Sequence, residues 1–246
     1  IHKYVYNPTE KVGIRRRQDM KQILCFGDSN TYGYEPHTGE RYPEDIRWTG
    51  ILQNYLGNNF NVIEEGMNGR TTASDDPDED GRNGLKTLES CMSKYDMIDV
   101  IIIMLGTNDL KEFVNKEVNE IVDGVEKIIV EMKKDLLKKQ SIPPQVIVMC
   151  PPEIGSSIRQ SPFYGEYKEI AISKSRKFPK YYREMAIRNN CIFFDTAEWV
   201  KPSEYDSVHL IAGDHRLIAD KIYEIIAKNI DLIVKMHERM NREKIL

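Results

Sequence analysis

The sequence predicts a single doubly wound α/β domain built around a parallel sheet. Three observations support this fold class: five short apolar runs rich in β-branched residues, amphipathic helical segments between them, and the absence of an internal repeat or linker. The chain has 246 residues, of which 40% are hydrophobic and 30% charged, values that are typical of a globular protein.

Most of the predicted strands are continuous apolar runs rather than alternating ones. Continuous runs favour strands that are buried on both faces, as in a parallel sheet covered by helices. In chain order they are residues 23–26, 61–64, 100–105, 146–150 and 192–195.

Five segments between and after these runs have a helical pattern, at residues 48–56, 85–94, 114–139, 176–189 and 215–242. The third of them is the longest, and Pro143-Pro144 ends it. Its apolar positions recur at helical spacing and are Val118, Ile121, Val122, Val125, Ile128, Ile129 and Met132.

Two connections interrupt this alternation. Residues 71–84 are acidic and rich in turn-forming residues, and residues 153–175 form a long segment that contains Pro162-Phe163-Tyr164-Gly165. Long connections in compact domains are often functional, so we expect the second to act as a lid. Phe163 and Tyr164 either form an apolar wall of a pocket or anchor this segment to the body of the domain.

The two ends of the chain carry further expectations. Residues 1–19 are polar and lack the apolar core of a secretory signal, so we expect either an added leader, with Met20 as the natural start, or a flexible native arm. Residues 20–246 then form one domain with a long C-terminal helix. The apolar positions Ile226, Ile230, Ile233 and Met236 pack either on the domain's own sheet or on a second subunit, and we expect a homo-oligomer.

Composition argues against several classes of partner. The net charge is −4 and no basic stripe is present, so nucleic acid is not an expected ligand. The longest apolar run, residues 100–105, is far too short to cross a membrane, and we expect a cytoplasmic protein.

The cysteines indicate neither a disulfide framework nor a metal site. Cys25, Cys91, Cys150 and Cys191 are scattered and no pair has CxxC spacing, which favours reduced thiols. We expect no metal and no cofactor.

A candidate nucleophile, Ser29, lies just after the first predicted strand, in Gly27-Asp28-Ser29. Open α/β sheets place their chemistry at the carboxyl ends of strands, and a serine hydroxyl there requires a base. Asp206-Ser207-Val208-His209 offers an acid and a base in one short loop. On its own, so short a motif favours an aspartate that caps the following helix and a histidine at the surface.

A serine nucleophile also requires donors for the negative charge that its attack creates. Glycine-containing turns follow two other predicted strands, at residues 66–70 and 106–109, and the second contains Asn108. Glycines let a backbone N–H approach a ligand closely, and an asparagine amide adds two donors. Together with the Ser29 N–H, these turns offer donors at the same edge of the sheet.

These motifs resemble, in order, the four blocks of the SGNH/GDSL hydrolases: Gly27-Asp28-Ser29-Asn30, Gly69 in its turn, Gly106-Thr107-Asn108-Asp109, and Asp206 to His209. The resemblance implies a flavodoxin-like three-layer α/β/α sandwich with a five-stranded parallel sheet. It also implies that Ser29 is the nucleophile, that Asp206 and His209 are its partners, and that the oxyanion hole consists of Ser29 N–H, Gly69 N–H and the Asn108 side chain.

The sequence is most similar to the bacterial arylesterase/acyltransferase branch of that family. The segments that carry this similarity include Arg47-Trp48-Thr49-Gly50, Arg70-Thr71-Thr72 and Asp75-Asp76-Pro77. Position 30 is Asn where the family name has Leu, and Ile211 and Asp214 depart from the pattern after His209. His215 is expected to be structural. Next to the predicted catalytic residues, we expect pocket positions at Asp28, Asn30, Phe163, Tyr164 and Val208.

The sequence therefore predicts a serine esterase that hydrolyses short, acetyl-type esters through an acyl-enzyme, with some acyltransferase activity. Its expected partner is a small-molecule ester. A carbohydrate O-deacetylase is an alternative within the same chemistry. A non-catalytic binding module on the same fold is an alternative of another class, although the chain contains every residue type that the reaction requires.

Overall fold

A computed structural model describes residues 20–243 of the protein, with side chains described as far as residue 229. The predicted leader or arm at residues 1–19 lies outside the described residues. The five strands are β1 (Lys21–Gly27), β2 (Phe60–Gly66), β3 (Val100–Met104), β4 (Gln145–Cys150) and β5 (Ile192–Asp195). They form one sheet in the order β2-β1-β3-β4-β5, in which every pairing is parallel. The predicted α/β fold is confirmed.

Eight α-helices connect or follow these strands within the described part of the chain. They are α1 (Ser29–Tyr32), α2 (Trp48–Leu56), α3 (Gly84–Met92), α4 (Val118–Leu136), α5 (Tyr164–Tyr167), α6 (Ile170–Ser175), α7 (Phe178–Arg188) and α8 (Ala212–Glu243). None of the helices described is long and apolar enough to cross a membrane.

The long predicted helix begins later than its apolar pattern suggests. It starts at Val118 rather than at residue 114, because Glu117 and Glu120 form a reciprocal capping box at its N-terminus. Asn115, just before it, has a left-handed backbone conformation with φ of 46°, which a continuous helix does not allow.

The sheet is covered on both faces. One core lies between the sheet and α3, α4 and α7, and the other lies between the sheet and α2 and α8. Strand β2 is half-buried along its whole length, unlike the fully buried β3, because it stands at the edge of the sheet.

The connection at residues 153–175 contains more structure than a plain loop. It includes α5, α6 and a short 3₁₀ turn, Ile158–Gln160. It packs onto the main core through the buried side chains of Ile154, Ile158, Tyr167 and Ala171. We call residues 153–175 the cover segment.

The last helix packs on its own domain as far as its side chains are described. Ile226 is buried in the core shared with α2, whereas the side chains of Ile230, Ile233 and Met236 lie outside the described residues. All four cysteines are free thiols, and Cys25, Cys91 and Cys150 are buried.

Candidate active site

The candidate site lies where the winding of the sheet reverses. Strands β1 and β3 are neighbours, and the chain leaves them towards opposite faces, which opens a crevice at their carboxyl ends. Ser29 lies two residues after the end of β1, and Asn108 lies four residues after the end of β3. The fold alone therefore brings these two sequence-predicted residues to one place.

Ser29, His209 and Asp206 form a continuous hydrogen-bonded chain. The Ser29 Oγ lies 2.9 Å from His209 Nε2, and His209 Nδ1 lies 2.7 Å from Asp206 Oδ2. In the tautomer that carries its proton on Nδ1, the imidazole donates to Asp206 and presents a free lone pair to the serine hydroxyl. This geometry allows the imidazole to accept the hydroxyl proton while the carboxylate stabilises the resulting positive charge.

The loop that carries Asp206 and His209 is held by its own backbone and by the cover segment. Asp206 Oδ1 accepts the N–H groups of Val208 and His209, each at 3.0 Å. Ser207 has a left-handed conformation with φ of 62°, and its carbonyl accepts the Gly155 N–H at 2.8 Å. The Ser161 hydroxyl donates to the Asp206 carbonyl. A strained backbone at this position is maintained because several hydrogen bonds determine it.

Backbone N–H groups are available next to the serine. Ser29 is the first residue of α1, where no intrahelical acceptor exists for its N–H. Neither the Ser29 N–H nor the Gly69 N–H has a hydrogen-bond acceptor among residues 20–243. Gly69 has φ of 73°, a conformation that suits glycine.

The Asn108 amide is oriented from both of its ends. The Tyr167 hydroxyl donates to Asn108 Oδ1 at 3.1 Å, and Asn108 Nδ2 donates to the Arg70 carbonyl at 3.1 Å. Because both Asn108 and Tyr167 are buried, these contacts fix which atom of the amide is the donor. One Nδ2 hydrogen is then left for a ligand.

Arg70 joins the turn that contains Gly69 to the end of β1. One of its terminal nitrogens donates to the carbonyls of Gly27, at 2.8 Å, and of Glu65. Its guanidinium also lies over the Phe26 ring, 4.2 Å from the centroid. The Gly69 turn is therefore held against the strand that presents Ser29.

Two buried carboxyl groups lie beneath the site. Asp28 Oδ1 accepts the Asn30 N–H at 3.0 Å, and Asp109 accepts both the N–H and the hydroxyl of Thr72. Burial raises the pKa of Asp28 to about 7 and that of Asp109 to about 6. Asp28 acts here as the cap of α1, and its contacts do not place it at a pocket surface.

Aromatic rings flank the imidazole of His209. The Tyr34 ring lies 4.1 Å from it, and the Phe163 ring meets it edge-on at 5.3 Å. Both rings are half-buried and lie against the imidazole. Tyr164 turns elsewhere: its hydroxyl donates to Glu169 Oε2 at 2.9 Å, and Lys168 lies over its ring.

The two remaining predicted pocket residues are buried in the protein. Asn30 is 1% exposed, and its amide hydrogen-bonds to the backbone on both sides of His209. Val208 is also 1% exposed and packs in the main core. We interpret both as part of the framework that holds the site.

His215 is buried and serves the packing of two helices. Its Nδ1 accepts the Trp48 N–H at 3.3 Å, at the N-terminus of α2, and its ring meets Tyr42 edge-on. Burial, together with the nearby Arg47, lowers its pKa to about 3, so the ring is neutral.

Sequence reasoning missed Tyr34, Arg70 and Tyr167 as residues of the site. Tyr34 was detectable in principle, because the four-residue helix α1 ends at Gly33 and turns the chain back towards Ser29. Tyr167 had no comparable signal, since it reaches Asn108 across 59 positions from a segment without a motif.

A protein-family model matches most of the chain. Residues 23–230 match the model of the GDSL-like lipase/acylhydrolase family. A comparison with curated proteins finds no match.

Solved structures show the same likeness. A carbohydrate acetylesterase from Sinorhizobium meliloti is 30% identical with a TM-score of 0.77, covering 85% of this chain and 99% of that one. An aryl esterase from M. smegmatis is 32% identical with a TM-score of 0.78, again covering 85% and 99%. A G-D-S-L family protein from Veillonella parvula, 19% identical over 84% of this chain and 98% of that one with a TM-score of 0.62, shares the fold.

The family match covers most of the chain, and two of these neighbours are esterases at 30% identity or more over nearly their whole length. The chain therefore belongs to the GDSL-like lipase/acylhydrolase family and is a carboxylic ester hydrolase.

Proposed function

We propose that the protein hydrolyses short-chain esters by acyl transfer to Ser29, with His209 as general base and Asp206 as its orienting acid. The observation that carries this proposal is the hydrogen-bonded chain from Ser29 Oγ through His209 to Asp206. A bystander histidine would not require a buried carboxylate on one nitrogen and a serine hydroxyl on the other.

The first half of the reaction forms the acyl-enzyme. Ser29 Oγ bonds to the ester carbonyl carbon as its proton passes to His209 Nε2, and the carbonyl oxygen becomes an oxyanion. The Ser29 and Gly69 N–H groups and the Asn108 amide are the proposed donors to that oxyanion. The tetrahedral centre then collapses, and the departing alkoxide takes the proton from the imidazolium.

The second half reverses these proton transfers. A water molecule gives its proton to His209 and attacks the acyl carbon, and the carboxylic acid leaves as Ser29 recovers its proton. An alcohol in place of water would give a new ester, which is the proposed acyltransferase activity. The aromatic rings of Tyr34 and Phe163 support a preference for small acyl groups, because they close the space beside His209.

Replacement of the nucleophile tests the mechanism. We expect Ser29→Ala to fold normally and to lose hydrolysis of p-nitrophenyl acetate, whereas Ser93→Ala, an exposed serine at the end of α3, serves as the matched control and retains it. Activity of Ser29→Ala near that of the control would contradict the mechanism. A p-nitrophenyl series from acetate to decanoate on the active protein measures the acyl preference, which we expect to be highest for the shortest esters.

Removal of acetyl groups from carbohydrates is a second candidate function, favoured by the likeness to the Sinorhizobium meliloti carbohydrate acetylesterase. It uses the same catalytic residues and differs only in the alcohol that leaves. The comparison of kcat/KM for acetylated sugars with that for p-nitrophenyl acetate separates the two, and much higher values for the sugars would favour the second.

A further inference from the structure

We infer that Asn30 is a positioning residue that aligns the imidazole of His209 with Ser29. This inference rests on the proposed catalytic roles of those two residues. Asn30 is the residue directly after Ser29, and its side chain bonds to the backbone of the two residues that flank His209.

The contacts form a two-point clamp. Asn30 Nδ2 donates to the Val208 carbonyl at 3.3 Å, and Asn30 Oδ1 accepts the Leu210 N–H at 3.0 Å. The amide therefore bonds to an acceptor just before His209, the Val208 carbonyl, and to a donor just after it, the Leu210 N–H. A displacement of this loop relative to α1 would lengthen at least one of the two hydrogen bonds.

Asn30 is itself held in place by three further features. Its own N–H donates to Asp28 Oδ1 at 3.0 Å, and its carbonyl accepts the indole N–H of Trp48 at 3.2 Å. It is 1% exposed, so water does not compete for these bonds. Ser29 and the clamp are thus parts of one rigid unit, and the distance between Ser29 Oγ and His209 Nε2 depends on that unit.

The other supports of the loop leave a task for this clamp. The bonds from Asp206 Oδ1 shape the loop internally, and those from Gly155 and Ser161 attach it to the cover segment. Within the described part of the chain, the hydrogen bonds of the Asn30 side chain and the Ser29–His209 contact are the only ones that join this loop to α1. The clamp therefore fixes the position of the His209 loop relative to Ser29, whereas the other bonds fix it relative to the rest of the domain.

The test replaces the amide with a side chain of similar volume that makes no hydrogen bonds. We expect Asn30→Leu to lower kcat for p-nitrophenyl acetate by about tenfold or more, because two buried hydrogen bonds are lost. KM should stay near the wild-type value, since the buried Asn30 does not reach substrate. Thr31→Val is the matched control: Thr31 is the next residue of α1, is buried, and its hydroxyl has no hydrogen-bond partner in the described part of the chain.

A spectroscopic readout separates positioning from a structural effect. The Nδ1 proton shared by His209 and Asp206 should give a strongly downfield proton resonance in wild type and in Thr31→Val, and this resonance should shift or broaden in Asn30→Leu. A fall in melting temperature with unchanged kcat and an unchanged resonance would overturn the inference.

A second variant keeps the test decisive if Asn30→Leu does not fold. Asn30→Asp retains the shape and the acceptor for the Leu210 N–H but places an oxygen against the Val208 carbonyl, and it should also lower kcat with little change in KM. Wild-type kcat in Asn30→Asp would overturn the clamp. Loss of activity in Ser29→Ala together with normal activity in both Asn30 variants would overturn this inference alone, whereas full activity in Ser29→Ala would overturn the proposed function.

Discussion

At the scale of single residues, each proposed catalytic group is oriented by a neighbour that takes no part in the chemistry. Asp28 caps the helix that begins at Ser29, Asn30 holds the loop of His209, and Tyr167 holds the amide of Asn108. The motifs in the sequence identify the reacting groups but only part of this support. Ser29 and Asn30 are adjacent in sequence, whereas Tyr167 and Asn108 meet only through the folded cover segment.

Removal of a single hydroxyl tests the support of Asn108. We expect Tyr167→Phe to lower kcat by about two- to tenfold, because one buried hydrogen bond no longer fixes the donor end of the amide. Asn108→Ala should cost about a hundredfold or more, the usual effect of losing an oxyanion donor. Steady-state kinetics with p-nitrophenyl acetate measure both, and equal losses in the two variants would show that Tyr167 does more than orient the amide.

At the scale of elements, α2 and α8 are joined to the site through polar contacts as well as apolar packing. His215, in the first turn of α8, accepts the Trp48 N–H at the start of α2, and the Trp48 indole in turn bonds to the Asn30 carbonyl. Arg47, just before α2, forms a paired contact with Glu64 on β2. The sequence indicated both helices from their apolar spacing, but the partners of their ends come from distant parts of the chain and have no local signature.

Substitution of His215 tests the junction between these helices. Its folded-state pKa of about 3 lies below the ordinary value of 6.5, so its contribution to stability is complete above pH 6.5 and is lost as the pH falls towards 3. We expect His215→Asn to unfold more easily than wild type at pH 7.5, by about 1–3 kcal/mol. Urea denaturation should show a smaller difference in the free energy of unfolding between wild type and His215→Asn at pH 4.5. A difference that does not depend on pH would contradict a buried neutral histidine.

At the scale of the whole molecule, buried ionisable groups limit stability from both sides of the pH range. Protonation of His215, whose pKa is lowered, destabilises the folded protein in acid. Ionisation of Asp28 and Asp109, whose pKa values are raised, destabilises it as the pH rises. For Asp28 the folded protein retains a proton up to about pH 7 that the unfolded chain releases near pH 4. The free energy of unfolding therefore falls with rising pH across this window, by at most about 4 kcal/mol for Asp28.

Replacement of the Asp28 carboxyl group by an amide tests this pH dependence of stability. We expect the free energy of unfolding of Asp28→Asn, measured relative to wild type, to be higher at pH 8 than at pH 5. The reason is that the amide has no charge to bury. Denaturation curves at both pH values measure the difference, with the exposed Asp78→Asn as control. A difference between Asp28→Asn and wild type that does not grow with pH would show that Asp28 is not a buried acid with a raised pKa.

Local patterns in the chain were sufficient for the type and approximate position of the main elements, because apolar periodicity and turn residues act over a few neighbours. They were also sufficient to find Ser29, Asn108 and the Asp206–His209 motif as residues of interest. The spacing of that motif alone favoured a helix cap with a surface histidine over a catalytic pair. Folding resolved its geometry by bringing His209 within 2.9 Å of a hydroxyl 180 positions away.

Sequence patterns act only over a few neighbouring residues. For this reason the pattern assigned some buried residues to a pocket and overlooked others. Whether Asn30 meets a substrate or a backbone, and whether Tyr164 or Tyr34 faces His209, depends on strand order and on the path of the cover segment. These are contacts between parts of the chain that are far apart in sequence. Their geometry arises only when the crossovers place β1 beside β3 and the last loop over both.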